Sequence, residues 1–301
     1  MKKSAFISII GVPNVGKSSL LNRLLGTKVA IISPKPQTTR TKITGVLTEG
    51  DIQTVFIDTP GFHKPKNKLG QHMLRAVGDS LGGIDGAVLV ADAGAKALRA
   101  EEKELIEKLK QHRIKAILAL NKIDTLPSKE LLLEKMAQFA ALYDFEAIVP
   151  LSALKGENIE ALKAELAKFA VEGPFFFPED TLTDQPERVL VSELIREKML
   201  KLLSQEVPHG VAVSIEKMRM RESGDVMDVE AIIYCERESH KGIIIGKKGA
   251  MLKRISTEAR LDMERFFDCK VNLSTWVKVK EDWRNRQGLI HNFGLDFQGD
   301  T

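Results

Sequence analysis

Eight residues near the start of the chain, Gly11-Val12-Pro13-Asn14-Val15-Gly16-Lys17-Ser18, have the types and spacing to hold a polyphosphate. Glycine lets the backbone wrap an anion and turn its N–H groups inward. The G-x-x-x-x-G-K-S spacing puts a lysine near the outer phosphates and a hydroxyl near their Mg2+. The flanks strengthen the reading. An apolar run (5–10) precedes the loop, and helix-forming residues (19–25) follow it, so the loop opens onto a positive helix N-terminus. Lys17 is expected on the outer phosphates and Ser18 on Mg2+. Gly11, Pro13, Asn14, Val15, Gly16 and Ser19 are expected around the anion.

Two further clusters complete this chemistry. The strand Thr54-Val55-Phe56-Ile57 ends in Asp58-Thr59-Pro60-Gly61. A carboxylate at the end of an apolar strand is costly unless paired, and beside a phosphate loop its partner is the Mg2+, held directly or through water. Gly61 can bring its N–H close to a terminal phosphate. The apolar run 116–120 then ends in Asn121-Lys122-Ile123-Asp124. The Asp124 carboxylate can accept from the adjacent N1–H and 2-amino donors of guanine; adenine would leave it unpaired and facing a lone pair. Lys122 can lay its stem along the base, and Ser152-Ala153, followed by Leu154, can offer a backbone N–H to the guanine carbonyl. An ATP-dependent enzyme is the alternative that Asn121 to Asp124 oppose.

The elements that must position these clusters alternate. Strand-like runs at 5–10, 54–57, 86–92, 116–120 and 147–151 are separated by helical patterns, notably 98–112, 128–143 and 158–170. Alternation of this kind implies a mainly parallel sheet covered on both faces, with ligands at the carboxyl ends of its strands. Every cluster named above falls at such an end. Between the first helix and the strand at 43–47, Ser33-Pro34-Lys35-Pro36-Gln37-Thr38-Thr39-Arg40 carries two prolines and reads as a loop.

At 301 residues the chain is long enough for two domains, and 43% hydrophobic with 29% charged residues is ordinary for a globular protein. The first apolar run begins at Ala5, which leaves no room for a signal peptide. No apolar run approaches the roughly 18 residues of a membrane span. The two cysteines, Cys235 and Cys269, lack metal-ligand spacing and read as buried thiols in a reducing compartment. A net charge of +4 does not by itself indicate nucleic acid.

The stretch 173–186, with three prolines and no amphipathic repeat, reads as a connector whose phenylalanines pack on one of the domains. From Glu187 the pattern is α-β-β-α-α-β. Between its two middle helices lies Gly246-Lys247-Lys248-Gly249, preceded by Gly242-Ile243-Ile244-Ile245. From His240 to Arg260 six basic residues (Lys241, Lys247, Lys248, Lys253, Arg254, Arg260) face one acid, Glu258. The glycines would let a sugar-phosphate chain pass close, the lysines would meet phosphates, and the isoleucines would floor unstacked bases.

Residues 11–18, Thr39, 58–61, 121–124 and 152–154 together resemble the translation-factor-related GTPases, so a Ras-like α/β domain is expected over 1–172. The resemblance implies that GTP or GDP is the ligand, that Thr39 (Thr38 in the alternative register) joins Ser18 and Asp58 at Mg2+, and that Lys17, Thr39 and Gly61 serve catalysis. Where the best-known GTPases orient water with glutamine, this chain has Phe62, so water must be positioned by other means and turnover alone should be slow. The neighbouring His63 reads as surface, with a catalytic base as the lesser alternative. In related GTPases an asparagine at the place of Asn14 helps hold K+. The second half resembles an α+β KH domain of the bacterial type (type II), expected over 187–301, with Lys241 to Gly249, Lys253 and Arg254 on RNA. Joined in this order, the halves resemble the Era family of bacterial ribosome-assembly GTPases. That resemblance implies the 3′ end of 16S ribosomal RNA and the 30S subunit as partners, and a monomer in the cytoplasm with some peripheral attachment to the membrane. A passive scaffold that uses GTP only for structure is the other class left open by Phe62.

Overall fold

Short runs of Ile, Val, Leu and Ala, each closed by a polar turn, build the sheet of the first of two units. The computed structural model describes residues 1–65 and 67–295. The first unit takes residues 1–30, 39–65 and 73–184; the second takes 31–38, 67–72 and 185–295.

In the first half of the chain the elements are β1 (Lys3–Ile10), α1 (Lys17–Leu25), β2 (Ile43–Glu49), β3 (Ile52–Asp58), α2 (Lys68–Asp79), β4 (Gly86–Asp92), α3 (Ala100–His112), β5 (Ala116–Asn121), α4 (Lys129–Ala140), β6 (Ala147–Leu151), α5 (Ile159–Leu166) and β7 (Val171–Glu172). The sheet runs β2-β3-β1-β4-β5-β6, with β7 pairing β1. Only β2 and β7 pair antiparallel; the other pairings are parallel. Strands buried on both faces need apolar side chains on both, and residues 87–91 of β4 are all fully buried. Parallel register aligns the carboxyl ends: Ile9 pairs with Asp58, and Asp92 with Asn121. The helix α2 is not among the helical patterns named above, although Leu69, Met73, Ala76 and Val77 recur there at helical spacing and are buried.

The stretch expected as a connector is a strap that through residue 184 belongs to the first unit, with Phe176 packed there as expected. Gln53, fully buried on β3, accepts from the backbone N–H groups of Phe176 (2.9 Å) and Phe177 (3.0 Å) and donates to the Phe177 carbonyl (2.9 Å). Phe176 tilts against Phe6 with ring centroids 4.6 Å apart. Farther along, Val46 donates its N–H to the Leu182 carbonyl, and Thr183 donates to the Thr44 carbonyl. The open edge of β2 is thereby paired.

The second unit contains α6 (Glu187–Leu202), β8 (Ala212–Met220), β9 (Val226–Cys235), α7 (Glu238–Ile245), α8 (Ala250–Phe267), β10 (Lys270–Val279) and α9 (Gln287–Asn292). Its sheet order is β10-β9-β8, with β10 parallel and β8 antiparallel to β9. Leu194, Ile195 and Met199 of α6 pack with Ile255, Ala259 and Met263 of α8 over the inner residues of the sheet. Cys235 is buried here, whereas Cys269 is half-buried, a correction to the expectation of two buried thiols. Among the described residues no helix is long and apolar enough to cross a membrane.

Candidate functional site

The loop between β1 and α1 is shaped by its glycines. Gly16 has φ 100°, and a Cβ there would lie 2.3 Å from Asn121 Nδ2; one on Gly11 would lie 2.4 Å from the Val90 carbonyl oxygen. Neither position tolerates a side chain. Gly61 approaches equally closely, since a Cβ would meet Pro13 at 2.8 Å. Inside this cradle Lys17 is buried, its Nζ donating to the carbonyls of Gly11 (3.0 Å) and Val12 (3.1 Å). Burial lowers its pKa to about 8, with Asp58 opposing.

Ser18, Thr39 and Asp58 converge. Ser18 Oγ donates to Asp58 Oδ2 (2.6 Å), and Thr39 Oγ1 lies 2.8 Å from Ser18 Oγ. Adjacent oxygens on an octahedral Mg2+ sit about 2.9 Å apart, given bonds of 2.0–2.1 Å. The hydroxyl pair therefore already has the spacing of neighbouring ligands. Asp58 Oδ1 is buried without a hydrogen-bond partner, and burial pushes the carboxyl up to about 6 against the pull of Lys17 and Ser18. A dication beside Asp58 and a phosphate beside Lys17 would each favour the charged form again. The oxygen donors and the orphaned acceptor fit Mg2+. Thr38, by contrast, turns its hydroxyl to the Lys35 carbonyl at 2.6 Å.

The base end is braced more than the motif suggests. Asn121 Nδ2 donates to the Val15 carbonyl (2.8 Å), while its Oδ1 accepts from Ala153 N–H (3.0 Å) and Lys122 N–H (2.8 Å). Around the expected donors at Ser152-Ala153, the Ala153 N–H donates to Asn121 and the Ser152 N–H to the Glu157 carbonyl. Lys122 spans Asn14 O (2.7 Å) and Asp92 Oδ2 (2.6 Å). Arg23 on α1 donates to the carbonyls of Ala153 (3.0 Å) and Leu154 (2.8 Å). Asp124 stands exposed at the mouth, as does Leu154. Asp92 and Arg23 escaped the motif reading. Asp92 carried a usable signal, being a carboxylate at the end of an apolar strand like Asp58; Arg23 carried none.

Phe62 is buried in the core, its N–H donating to the Gly11 carbonyl (3.1 Å), so it anchors the loop after Gly61. His63 Nδ1 is 2.7 Å from the Gly61 carbonyl oxygen. Asn14 is exposed with φ 67°.

In the second unit Gly246 (φ 70°) and Gly249 (φ 78°) take left-handed conformations around exposed Lys247 and Lys248, and a Cβ on Gly246 would meet Met251 at 2.7 Å. The loop runs directly into the N-terminus of α8. Gly242, Ile243 and Lys253 are exposed and Ile245 is half-buried, but Ile244 is fully buried in the core. That corrects its expected place on an RNA-facing floor: successive helical residues point about 100° apart, so three in a row cannot share a face. Arg254 pairs with Glu258 (2.9 Å) and Lys241 lies 3.8 Å from Glu238, so both are partly neutralised.

Comparisons with known proteins agree along the whole chain. Residues 6–122 match the model described as 50S ribosome-binding GTPase, and 206–284 match the KH domain model. GTPase Era of Clostridioides difficile (strain 630) is 50% identical over 98% of this chain and 99% of its own length. GTPase Era of Alkaliphilus metalliredigens is 47% identical over 98% and 99%. A crystal structure of an Aquifex aeolicus Era variant bound to GDP.AlF4- superposes with a TM-score of 0.94 at 38% identity, covering 98% of this chain and all of the other. An Era structure with MgGDPNP and nucleotides 1506–1542 of 16S ribosomal RNA gives the same TM-score and identity over 99% and 100%. With a phosphate loop, a guanine-type base motif and a KH fold in one chain, and half its residues shared with a full-length relative, the chain belongs to the Era family of GTPases.

Proposed function

We propose that this GTPase is a nucleotide-operated RNA clamp: it binds the 3′-end region of 16S ribosomal RNA through its KH domain and assists assembly of the 30S subunit. The observation that carries the reading is the likeness, over both units, to a relative that holds MgGDPNP and that RNA. The family model's description names the large subunit. The reading follows the full-length relative instead, because that likeness covers both halves of the chain.

In this reading Lys17 leaves the Gly11 and Val12 carbonyls for the outer phosphates, and Gly61 brings its backbone to the terminal phosphate. Ser18, Thr39 and Asp58 hold Mg2+, which neutralises charge on the phosphate oxygens. Asp124 reads guanine, and the brace from Lys122 to Asn14 and Asp92 keeps the base end aligned with the phosphate loop. Buried Phe62 supplies no polar group for the attacking water, which leaves intrinsic turnover slow. Asn14 would help hold a K+ ion, which would supply added positive charge beside the phosphates. Lys247 and Lys248 meet RNA phosphates, with Gly246 and Gly249 giving the strand close access. The working protein is a cytoplasmic monomer that touches the membrane only peripherally.

The test is binding of a short RNA from the 16S 3′ end in GDP and in a non-hydrolysable GTP analogue. The double variant Lys247→Asp/Lys248→Asp serves as control, and single-turnover hydrolysis is run in K+ and in Na+. Tighter binding with the analogue, lost in the control, and faster hydrolysis in K+ are expected. Equal binding in both nucleotide states would reduce the chain to two independent modules.

A further inference from the structure

Within the second unit, helix α6 grips the segment 31–38 that leads into Thr39. Two consecutive buried residues of α6 hold its two ends. Glu197, 1% exposed, accepts the Ile32 N–H at 3.0 Å. Arg196, 2% exposed, donates through its guanidinium fork to the carbonyls of Gln37 (3.4 Å) and Thr38. Between them Lys35 Nζ donates to the Leu203 carbonyl at the end of α6. Arg196 is itself aimed by Glu193, whose Oε1 accepts from Nε at 2.7 Å.

The next residue after the gripped Thr38 carbonyl is Thr39, whose hydroxyl lies 2.8 Å from Ser18. One peptide unit separates the guanidinium's acceptor from this hydroxyl, and a peptide unit is rigid. From the other side, Lys198 on α6 pairs with Asp262 of α8, the helix whose N-terminus abuts the Gly246–Gly249 loop. Every link is a contact between named groups, and the hydrophobic spacing of α6 does not require a buried Arg-Glu pair.

We propose that Arg196 is a positioning residue for the GTPase reaction, fixing the Gln37 and Thr38 carbonyls so that Thr39 keeps its place beside Ser18. This rests on the reading of Thr39 as a Mg2+ ligand. It goes beyond that reading by assigning the segment's conformation to a side chain outside the GTPase half of the chain. Arg196 touches no phosphate, so its removal should leave binding of GDP unaffected while weakening the state in which Thr39 is engaged.

The test uses the full chain with Arg196→Met, which keeps length and apolar volume, Arg196→Lys, which keeps charge without the fork, and Thr39→Ala as reference. The first readout is the Mg2+ concentration for half-maximal binding of a fluorescent non-hydrolysable GTP analogue, alongside GDP affinity. The expected result for Arg196→Met is a rise of about tenfold in that Mg2+ concentration, the scale of losing charge-assisted hydrogen bonds. Thr39→Ala should match it, Arg196→Lys should be intermediate, and GDP affinity and GDP-state RNA binding should stay within about twofold. The double variant should be no worse than Thr39→Ala alone, because one residue acts through the other. An unchanged Mg2+ requirement in Thr39→Ala sinks the reading of Thr39. A normal requirement in Arg196→Met, with Thr39→Ala impaired, sinks the positioning role alone. Equal loss of GDP and analogue binding, or loss of GDP-state RNA binding, makes Arg196 merely structural and overturns the proposal.

Discussion

The phosphate loop of the first unit and the Gly246–Gly249 loop of the second solve a similar problem by opposite means. Both use left-handed glycines to let a phosphate chain approach the backbone. The first buries its lysine among carbonyls, lowers its pKa to about 8, and locks the surrounding glycines against Asn121, Val90 and Pro13. The second packs only Gly246 tightly, a Cβ there meeting Met251 at 2.7 Å; it exposes Lys247 and Lys248, and a Cβ on Gly249 would meet nothing within 4 Å. A buried, interlocked site recognises one small ligand with steep consequences for error. An exposed one recognises a flexible polymer through additive, screened charges. Substitutions should therefore be all-or-none in the first loop and graded at the exposed lysines of the second.

The sharpest way to break that contrast is Gly16→Val. A side chain at φ 100° with a Cβ 2.3 Å from Asn121 Nδ2 should abolish GDP and GTP binding by at least about 100-fold, a cost of about 3 kcal/mol from strain and clash. Fluorescent-nucleotide titration reads it directly, and near-normal affinity would mean that the cradle is soft. Next in size is Asp124→Asn. An amide presents a donor where guanine also donates, so GTP affinity should fall by about 100-fold. Affinity for a xanthine nucleotide, whose 2-position carries an acceptor, should rise. Competition between the two nucleotides decides; an unchanged preference for guanine would remove Asp124 from base recognition. The smallest effect belongs to Lys248→Gln. RNA affinity should fall modestly, and the slope of log affinity against log salt should flatten by about 0.7, one single-strand phosphate contact. Basal GTP hydrolysis should not change. A collapse of RNA binding at all salt concentrations would show the second loop to be as interlocked as the first.

Most of the nucleotide site was legible in the chain because its parts are short and local. A strand, a bend and a helix start within a few residues of one another dictate where Gly11 to Ser18 and Asp58 to Gly61 lie. Asn121 and Lys122 were found by the same rule, but their partners were not. The Asn121 bridge between Val15 and Ala153, and the Lys122 bridge to Asn14 and Asp92, join residues that meet only when parallel strands align their ends. Ile244 was misplaced because three isoleucines in a row look alike until a helix assigns each its own direction. The connector's prolines forbid regular structure without forbidding order, and what holds it was not legible in the chain: Gln53, a polar residue on a buried strand, satisfies the backbone groups of Phe176 and Phe177.

What the chain alone determined was the kind of chemistry: a polyphosphate cradle, a dication, a guanine reader and a basic loop. Each depends on residue types at fixed short spacing, where covalent geometry leaves few alternatives. Tertiary structure alone decided which groups are braced and by what. Arg196 stands 158 residues from Thr38, Arg23 130 from Ala153, and Gln53 124 from Phe177. No local pattern encodes such meetings, because they arise only when separately folded elements bury polar groups together and those groups must find partners.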